Sequence, residues 1–246
     1  MGSDSSPGVE QSPWRAASAQ VLVEDLSDPV IDDDASHHLS RVLRIGPEES
    51  VCAFDGAGGW VMCALTARGE LEPLGEPSRS ESQPWRATVG FAVLKGTRNE
   101  LVVQKLTEVG IDRIWLLRTD RGVVRWDARR SERNLDRLRR IAVEASCQCR
   151  RLHLPEIELL DLRDAVGPQG RGVALADAGG RPPDASTRVL LVGPEGGWSP
   201  AERALRDGVA LGGNVLRAET AAIVAGSTLA QLRIGLVGPG LTSLSP

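Results

Sequence analysis

The segment from Leu190 to Glu202 constrains this chain more than any other, because it joins an apolar run to a helix start through a loop with three glycines. The run Leu190-Leu191-Val192 predicts a short buried strand. Ser199 is a favourable N-cap, and Pro200 and Glu202 stand where a first helical residue and a capping box require them. Such a loop leaves backbone N–H groups free to face a ligand. The alternative is an ordinary glycine-rich turn between a strand and a helix, which would have the same sequence pattern.

A second unusual segment, Leu211 to Ala222, contains a glycine turn, a short apolar run and the polar stretch Arg217-x-Glu219-Thr220. We expect Thr220 to cap a helix over 221–234. The two segments then form two strand-to-helix turns near strand ends, where α/β sheets bind ligands.

From Trp85 onward, predicted strands and helices alternate, which indicates an α/β domain with a parallel sheet. The predicted strands are 87–94, 114–117, 173–176 and 189–192. The predicted helices are 99–109, a long helix that Ser131 caps with an apolar face at 135, 138, 141, 142 and 145, then 200–207 and 221–234.

The N-terminal third has a different pattern. It predicts a strand over 21–23, a helix over 35–46 with an apolar face at 35, 39, 42 and 43, and a hairpin of 51–54 with 60–65. These elements indicate a small β-rich domain. The Pro/Ser/Glu-rich stretch 72–84 is the best linker candidate. We therefore expect a disordered tail at 1–13, an N-terminal domain at 14–75, a linker at 76–85 and the α/β domain at 86–246.

Composition limits the class of protein. An apolar content of 41% and a charged content of 25% are typical of a soluble globular protein, and the N-terminus lacks the features of a signal peptide, so we expect a cytoplasmic protein. The net charge of −4 argues against indiscriminate nucleic-acid binding. Between residues 118 and 151, however, the sequence has eleven arginines and only five acidic residues. That cluster favours a local RNA contact, and a solvated helix face is the alternative.

Several common sites are absent from the sequence. It has neither a P-loop nor a strand-linked G-x-G-x-x-G, which argues against a nucleotidase and a Rossmann site. The four cysteines lack zinc-ligand spacing, so we expect no metal site. The absence of tyrosine argues against an aromatic RNA-stacking sheet.

Seven motifs occur together in one order, and as a set they are specific. They are His37-His38-Leu39-x-Arg41-Val42-Leu43-Arg44, Lys95-Gly96-x-Arg98, Gln104-Lys105-x-x-Glu108-x-Gly110, Thr119-Asp120-Arg121, Gln148-x-x-Arg151, Leu191 to Gly197, and Leu216-Arg217-x-Glu219-Thr220-Ala221. The chain closely resembles the RsmE-type 16S rRNA uridine-N3 methyltransferases of the SPOUT superfamily, from about residue 14 to 236. One position departs from the family pattern, because Cys147 stands where an acidic residue is usual.

The resemblance implies a fold, a cofactor and partners. The fold would be a small β-rich PUA-like RNA-binding domain followed by a SPOUT-type α/β domain whose parallel sheet contains a trefoil knot. The cofactor would be S-adenosyl-L-methionine, and the partners 16S rRNA in the small ribosomal subunit and a second copy of the chain, with no membrane. The cofactor would bind at Leu175, Ala176, Val192, Gly193, Glu195, Gly196, Gly197, Leu211, Gly212, Val215, Leu216, Arg217, Ala218 and Thr220. RNA would bind at His38, Arg41, Arg44, Lys95, Arg98, Arg121, Gln148 and Arg151.

These residues make physical sense in those roles. The glycines let backbone approach adenosine closely, and Leu175, Val192, Leu211 and Leu216 are apolar enough to enclose adenine. N3 of uracil is a weak acid on the base-pairing edge, so the target base must be unpaired and must lose a proton.

We expect Arg217 to stabilise the uracil anion and Glu195 or Glu219 to accept the proton, while a structural role for each glutamate is the alternative. Two other functions remain open at this point. They are a SPOUT methyltransferase acting on tRNA and a non-catalytic RNA-binding ribosome assembly factor.

Overall fold

Two separate β-sheets organise the chain. The structure is a computed structural model that describes residues 12–46, 49–167 and 172–237. The chain divides into two units: the first contains the described residues up to Ser82 together with Cys147–His153, and the second contains the rest. Nearly all of the predicted tail lies outside the described residues. The predicted domain limits stay a prediction. They divide the chain at a single linker and do not include Cys147–His153 in the first unit.

The first unit is built on a five-stranded sheet with the order β1-β2-β3-β4, in which β5 pairs with β3. Its elements are α1 Pro13–Ala16, β1 Ala19–Leu22, α2 Asp33–His37, a π-helical turn His38–Val42, β2 Ser50–Phe54, β3 Gly59–Leu65, β4 Leu71–Pro73 and β5 Ser78–Arg79. The predicted hairpin is present as the antiparallel pair β2–β3. The stretch offered as a linker contains paired residues, because β4 and β5 both pair with β3.

The predicted helix over 35–46 is also corrected. Asp32 caps α2 by accepting the Ala35 N–H at 2.7 Å, but the chain then widens into the π-helical turn, where the Leu43 N–H donates to the His38 carbonyl. The wider turn changes which side chains face inward. Leu39 is buried, whereas Val42 and Leu43 are 59% and 46% exposed. The expected stop at Gly46-Pro47 lies partly outside the described residues.

Hydrogen bonds explain why residues 147–153 belong to the first unit. The Gln20 side-chain amide donates to the Arg151 carbonyl at 2.8 Å, and the Gly58 N–H donates to the Leu152 carbonyl at 3.1 Å. Gly58 has a φ of +96°, and a Cβ there would lie 2.4 Å from the imidazole of His153. The β2–β3 turn therefore requires glycine for both conformation and space.

The second unit confirms the expected α/β domain with a parallel sheet. Its six strands run in the order β11-β9-β10-β6-β7-β8, and every pair is parallel. Its elements are β6 Thr88–Ala92, α3 Arg98–Glu108, β7 Arg113–Arg118, α4 Ala128–Cys149 except for the last three residues, β8 Glu156–Asp161, α5 Leu162–Val166, β9 Val173–Arg181, β10 Val189–Val192, α6 Pro200–Arg203, β11 Gly208–Val209 and α7 Ala218–Arg233. The central strands β6 and β10 are almost entirely buried, as expected of a sheet covered on both faces.

Three helix starts or ends differ from the prediction. Ser131 lies inside α4, because the Asp127 carboxylate accepts the Arg130 N–H three residues earlier. Helix α6 is four residues long because the chain leaves it for the sheet, where the Asp207 carbonyl accepts the Leu175 N–H. Helix α7 begins at Ala218 with Arg217 as N-cap, since the Ala221 N–H already donates to the Arg217 carbonyl. The predicted cap at Thr220 is therefore wrong.

The described residues also bear on membrane spans and metal sites. None of the helices there combines the length and the apolarity that a bilayer span requires. Likewise, this part of the chain contains no group of three or more histidine, cysteine or acidic side chains that could hold a metal ion.

Candidate functional site

A cavity of about 340 Å³ lies in the second unit, beyond the carboxyl end of β10 and beside β9. Both segments that the sequence marked as unusual contribute to its wall. The lining residues are Ala176, Asp177, Ala178, Val192, Gly193, Pro194, Glu195, Gly197, Trp198, Arg203, Leu211, Gly212, Asn214, Val215, Leu216, Ala218 and Ala221. The volume is in the range of small-molecule sites, and the position is where parallel α/β sheets bind ligands.

Trp198 gives the loop after β10 its shape. The side chain is 3% exposed, and its indole Nε1–H donates to the Ala176 carbonyl at 3.1 Å. A Cβ at Gly193 would lie 3.1 Å from two atoms of this ring. Gly197 has a φ of +66°, and its N–H closes a turn onto the Pro194 carbonyl. The tryptophan and the glycines thus hold the loop close to β9.

The loop ends in the predicted capping box, which is confirmed. The Glu202 N–H donates to the Ser199 hydroxyl at 3.2 Å, and the Ser199 N–H donates to the Glu202 carboxylate at 2.8 Å. The other oxygen of Glu202 accepts the Asp120 N–H at 2.7 Å, and the Ser199 hydroxyl donates to the Asp120 carboxylate. Glu202 is only 5% exposed. The cap therefore also fixes the segment that follows β7.

Arg98 connects the two carboxylates that the sequence offered as proton acceptors. Its guanidinium lies 2.8 Å from Glu195 and 3.3 Å from Glu219. A hydrogen bond from its own backbone N–H, and next the Arg98 guanidinium, lower the pKa of the Glu195 carboxyl. A carboxylate with a lowered pKa is a weaker base, so this arrangement favours the structural role for Glu195.

Ten of the fourteen residues predicted for the cofactor line the cavity. The other four lie elsewhere. Leu175, expected beside adenine, is 1% exposed and packs with Leu191 and Trp198 in the core. The Gly196 carbonyl accepts a hydrogen bond from Arg121, and Arg217 and Thr220 are exposed at the start of α7.

Several lining residues were not predicted from the sequence. Arg203 and Asp177 form an ion pair at 2.7 Å, and Asn214 and Trp198 also reach the cavity. Asp177 could have been predicted as a lining residue, because it directly follows a predicted strand, the usual place of a ligand residue in such sheets. No feature of the sequence predicts a role for Arg203, since its position depends on where α6 meets β9.

The residues predicted to bind RNA fall into two groups. Lys95, Arg98 and Arg121 lie in the second unit, and Arg121 donates to the Gly196 carbonyl at 2.9 Å. Lys95 acts on the Glu195 carboxylate, whose pKa it helps to lower. The remaining residues belong to the first unit and are His38, Arg41, Arg44, Gln148 and Arg151.

Comparison with known proteins adds independent information. Residues 81–230 match the model of an RNA methyltransferase domain, and residues 31–74 match that of an RNA methyltransferase PUA domain. The ribosomal RNA small subunit methyltransferase E of Mycobacterium tuberculosis is 33% identical over 225 residues, which cover 80% of this chain and 83% of that protein. The Rickettsia conorii protein of the same name is 27% identical, covering 87% of this chain and 92% of its own length.

Solved structures are similar as well. The ribosomal RNA small subunit methyltransferase E of Neisseria gonorrhoeae, bound to S-adenosylmethionine, superposes with a TM-score of 0.75 at 25% identity, covering 87% of this chain and 97% of that one. A Legionella pneumophila structure in complex with the same cofactor gives a TM-score of 0.71 at 26% identity, covering 85% of this chain and 96% of that one.

Proposed function

This chain belongs to the ribosomal RNA small subunit methyltransferase E family, and from that membership we propose that it methylates N3 of a uridine in 16S rRNA. The observation that carries the proposal is the cavity that the loop after β10 and the segment before α7 enclose together. Both segments lie within the region that matches the methyltransferase domain. The cofactor is S-adenosylmethionine.

The residues of the cavity fit this cofactor. Val192, Leu211 and Leu216 offer an apolar surface for adenine, and the loop glycines bring backbone polar groups within reach of its edge. Asp177 offers a carboxylate to ribose hydroxyls, and Arg203 offers a guanidinium to the carboxylate of the methionine part. When bound, the cofactor would supply an electrophilic methyl group to N3 of the uracil anion, whose proton has passed to water, and would leave as S-adenosylhomocysteine.

The chain's own contribution is alignment and charge. Holding the base and the methyl group in line supplies about 7–11 kcal/mol in well-oriented reactions. The Arg217 side chain is exposed at the N-cap of α7, next to the lining residues Leu216 and Ala218, so it is available to the negative charge on uracil O2 or O4. Glu195 and Glu219 hold Arg98 and with it the relative position of the loop and α7.

A trefoil knot is part of the proposal. After β10 the chain passes outward to β11 at the edge of the sheet, beyond β9, and then returns so that α7 packs against β6 and β10. The return segment, 210–217, shares the cavity wall with the loop after β10. This path supports a chain that threads one loop through another.

The remaining parts of the proposal concern partners and domain limits. Residues 14–75 form the RNA-binding PUA-like domain and residues 86–246 the catalytic domain. The substrate is 16S rRNA within the small subunit, which implies a cytoplasmic location, and the active form is a homodimer.

Two measurements test the function directly. Isothermal titration of the purified protein with S-adenosylmethionine should give saturable binding, and the absence of binding would reject the proposal. Deletion of the gene should remove N3-methyluridine from 16S rRNA on mass spectrometry, and restoring it should return the modification. An unchanged 16S rRNA map with a missing tRNA methylation would identify a different substrate.

A further inference from the structure

A second cavity, of about 400 Å³, lies in the same unit, and Lys95 is one of its lining residues. It is enclosed by the residues after β6, the start of α3 and the first half of α4. Its lining residues are Leu94, Lys95, Gly96, Thr97, Asn99, Glu100, Val124, Trp126, Arg130, Asn134, Arg137 and Leu138. Most of these residues carry none of the roles assigned above.

The floor of this cavity is apolar and rigid. Leu94 and Leu138 are each 3% exposed, and half-buried Trp126 packs against the main core of the unit. Asn99 fixes the loop above them, because its amide exchanges two hydrogen bonds with the backbone of Leu94, at 2.9 and 2.8 Å. The cavity therefore offers an aromatic side chain in a fixed frame, the kind of surface on which bases stack.

The rim is cationic. Lys95, Arg130 and Arg137 face one carboxylate, that of Glu100, which pairs with Arg137 at 3.1 Å. Neither Lys95 nor Arg130 has a carboxylate within ion-pair distance among the described residues. Asn134 adds a carboxamide, which can both donate and accept hydrogen bonds. Cations around a partly aromatic pocket fit a phosphate attached to a planar base.

The position of the cavity points to a strand of RNA rather than a free nucleotide. It opens after β6, and the cofactor cavity opens after β10, its neighbour in the sheet, where Val192 pairs with Phe91. A base in the second cavity and a target base at the mouth of the cofactor cavity can therefore belong to a single strand. Lys95 lines the second cavity and Glu195 lines the first, and the charge of Lys95 acts on the Glu195 carboxylate, so a phosphate that connects the two bases would pass near Lys95.

We propose that this second cavity binds a nucleotide of single-stranded RNA that flanks the methylated one, with its base on Trp126 and its phosphate at Arg130 and Lys95. This inference rests on the proposed function for the identity of the neighbouring base. The inference that this cavity binds RNA does not depend on the proposed function.

The test compares adjacent residues on one helix. Arg130 lines the cavity, whereas Arg129, also exposed on α4, does not. Binding of a fluorescein-labelled single-stranded RNA is followed by anisotropy at several salt concentrations for wild type, Arg130→Gln and Arg129→Gln. We expect Arg130→Gln to weaken binding several-fold and to reduce the slope of log affinity against log salt by about 0.7, the value for one phosphate contact. Arg129→Gln should change neither quantity.

A second pair of variants tests stacking. Trp126→Leu should weaken binding about fivefold or more, as expected for the loss of one stacked base, and Trp126→Phe should retain most of the affinity. Thermal melting of each variant excludes a folding defect as the cause.

Three outcomes would overturn the inference: equal effects of Arg129→Gln and Arg130→Gln, equal affinities of Trp126→Leu and Trp126→Phe, or uridine monophosphate binding as tightly as the RNA. If the wild type fails to bind S-adenosylmethionine, the proposed function fails. The predicted contrast between the Arg130 and Arg129 variants would still support this cavity as an RNA site.

Discussion

The guanidinium of Arg98 lies 2.8 Å from the carboxylate of Glu195, and this contact ties the first turn of α3 to the loop after β10. The same guanidinium reaches Glu219 in the first turn of α7, so one cation connects three segments around the cofactor cavity. The contact is only partly screened, because the Arg98 side chain is 33% exposed and that of Glu219 14% exposed.

Replacing this cation should loosen the loop. We expect Arg98→Gln to weaken S-adenosylmethionine binding roughly fivefold, which corresponds to about 1 kcal/mol for a partly exposed ion pair. Arg113→Gln is the control, because Arg113 pairs with Glu156 at the start of the adjacent strands. Isothermal titration of both variants measures the difference, and equal affinities would contradict the bracing role.

The ion pair should also appear in the pH dependence of stability. The pKa of Glu195 is lowered from 4.5 in the folded protein. A depressed folded-state pKa contributes stability that is complete above the unfolded value and is lost as pH falls through the folded one. We therefore expect the difference in melting temperature between wild type and Glu195→Gln to be constant above about pH 5 and to shrink below pH 4.5. A difference that grows on acidification would contradict this prediction.

Gly193 and Gly213 offer a matched pair of substitutions near the site. A Cβ at Gly193 would lie 3.1 Å from the Trp198 ring, whereas one at Gly213 would meet nothing within 4 Å. Gly193→Ala should therefore displace the ring or the loop and lower the free energy of unfolding by about 1–3 kcal/mol. Gly213→Ala should be nearly neutral. Chemical denaturation measures both, and similar values for the two variants would count against the packing role of Trp198.

Arg217 is expected to act on the transition state rather than on cofactor binding. Arg217→Ala should lower kcat for methyl transfer about 10²–10³-fold, the usual effect of removing one donor to a developing anion. Its affinity for S-adenosylmethionine should change little, since the side chain is not part of the cavity wall. Arg217→Lys should recover part of the rate. A loss of cofactor affinity that matches the loss of rate would contradict this role.

The buried thiols should be chemically inert in the folded protein. Burial raises the pKa of Cys52 to about 12 and that of Cys63 to about 11, so almost no thiolate is present at neutral pH. We expect iodoacetamide at pH 8 to leave both cysteines unmodified until the protein is unfolded in guanidinium chloride. Peptide mass spectrometry before and after unfolding measures the extent, and rapid native labelling of Cys52 would contradict its burial.

The parts of the fold that were predicted correctly depend on local signals. The strand at 189–192 and the capping box at Ser199 can be read within a dozen residues, because an apolar run and an N-cap act on their immediate neighbours. The same holds for the helix that ends before Gly110, whose φ of +89° suits a helix end.

What could not be predicted depends on distant partners. Glu202 has a local role in its cap, but its other oxygen accepts a hydrogen bond from Asp120, 82 residues away. An apolar residue such as Leu175 suits a core position and a position beside adenine equally well, so the sequence alone does not distinguish the two. The π-helical turn at His38–Val42 exposes Val42 and Leu43, and it contains no glycine or proline from which it could have been predicted.

The hydrogen bond from Gln20 to the Arg151 carbonyl joins residues 131 positions apart, and it has a consequence for synthesis on the ribosome. Translation delivers all five strands of the first sheet well before residues 147–153 leave the exit tunnel. Until then the Gly58 N–H and the Gln20 amide lack the carbonyls that they bind in the finished protein. The first unit can therefore complete its folding only after residues 83–146 of the second unit have been made, although most of its own chain is translated before them.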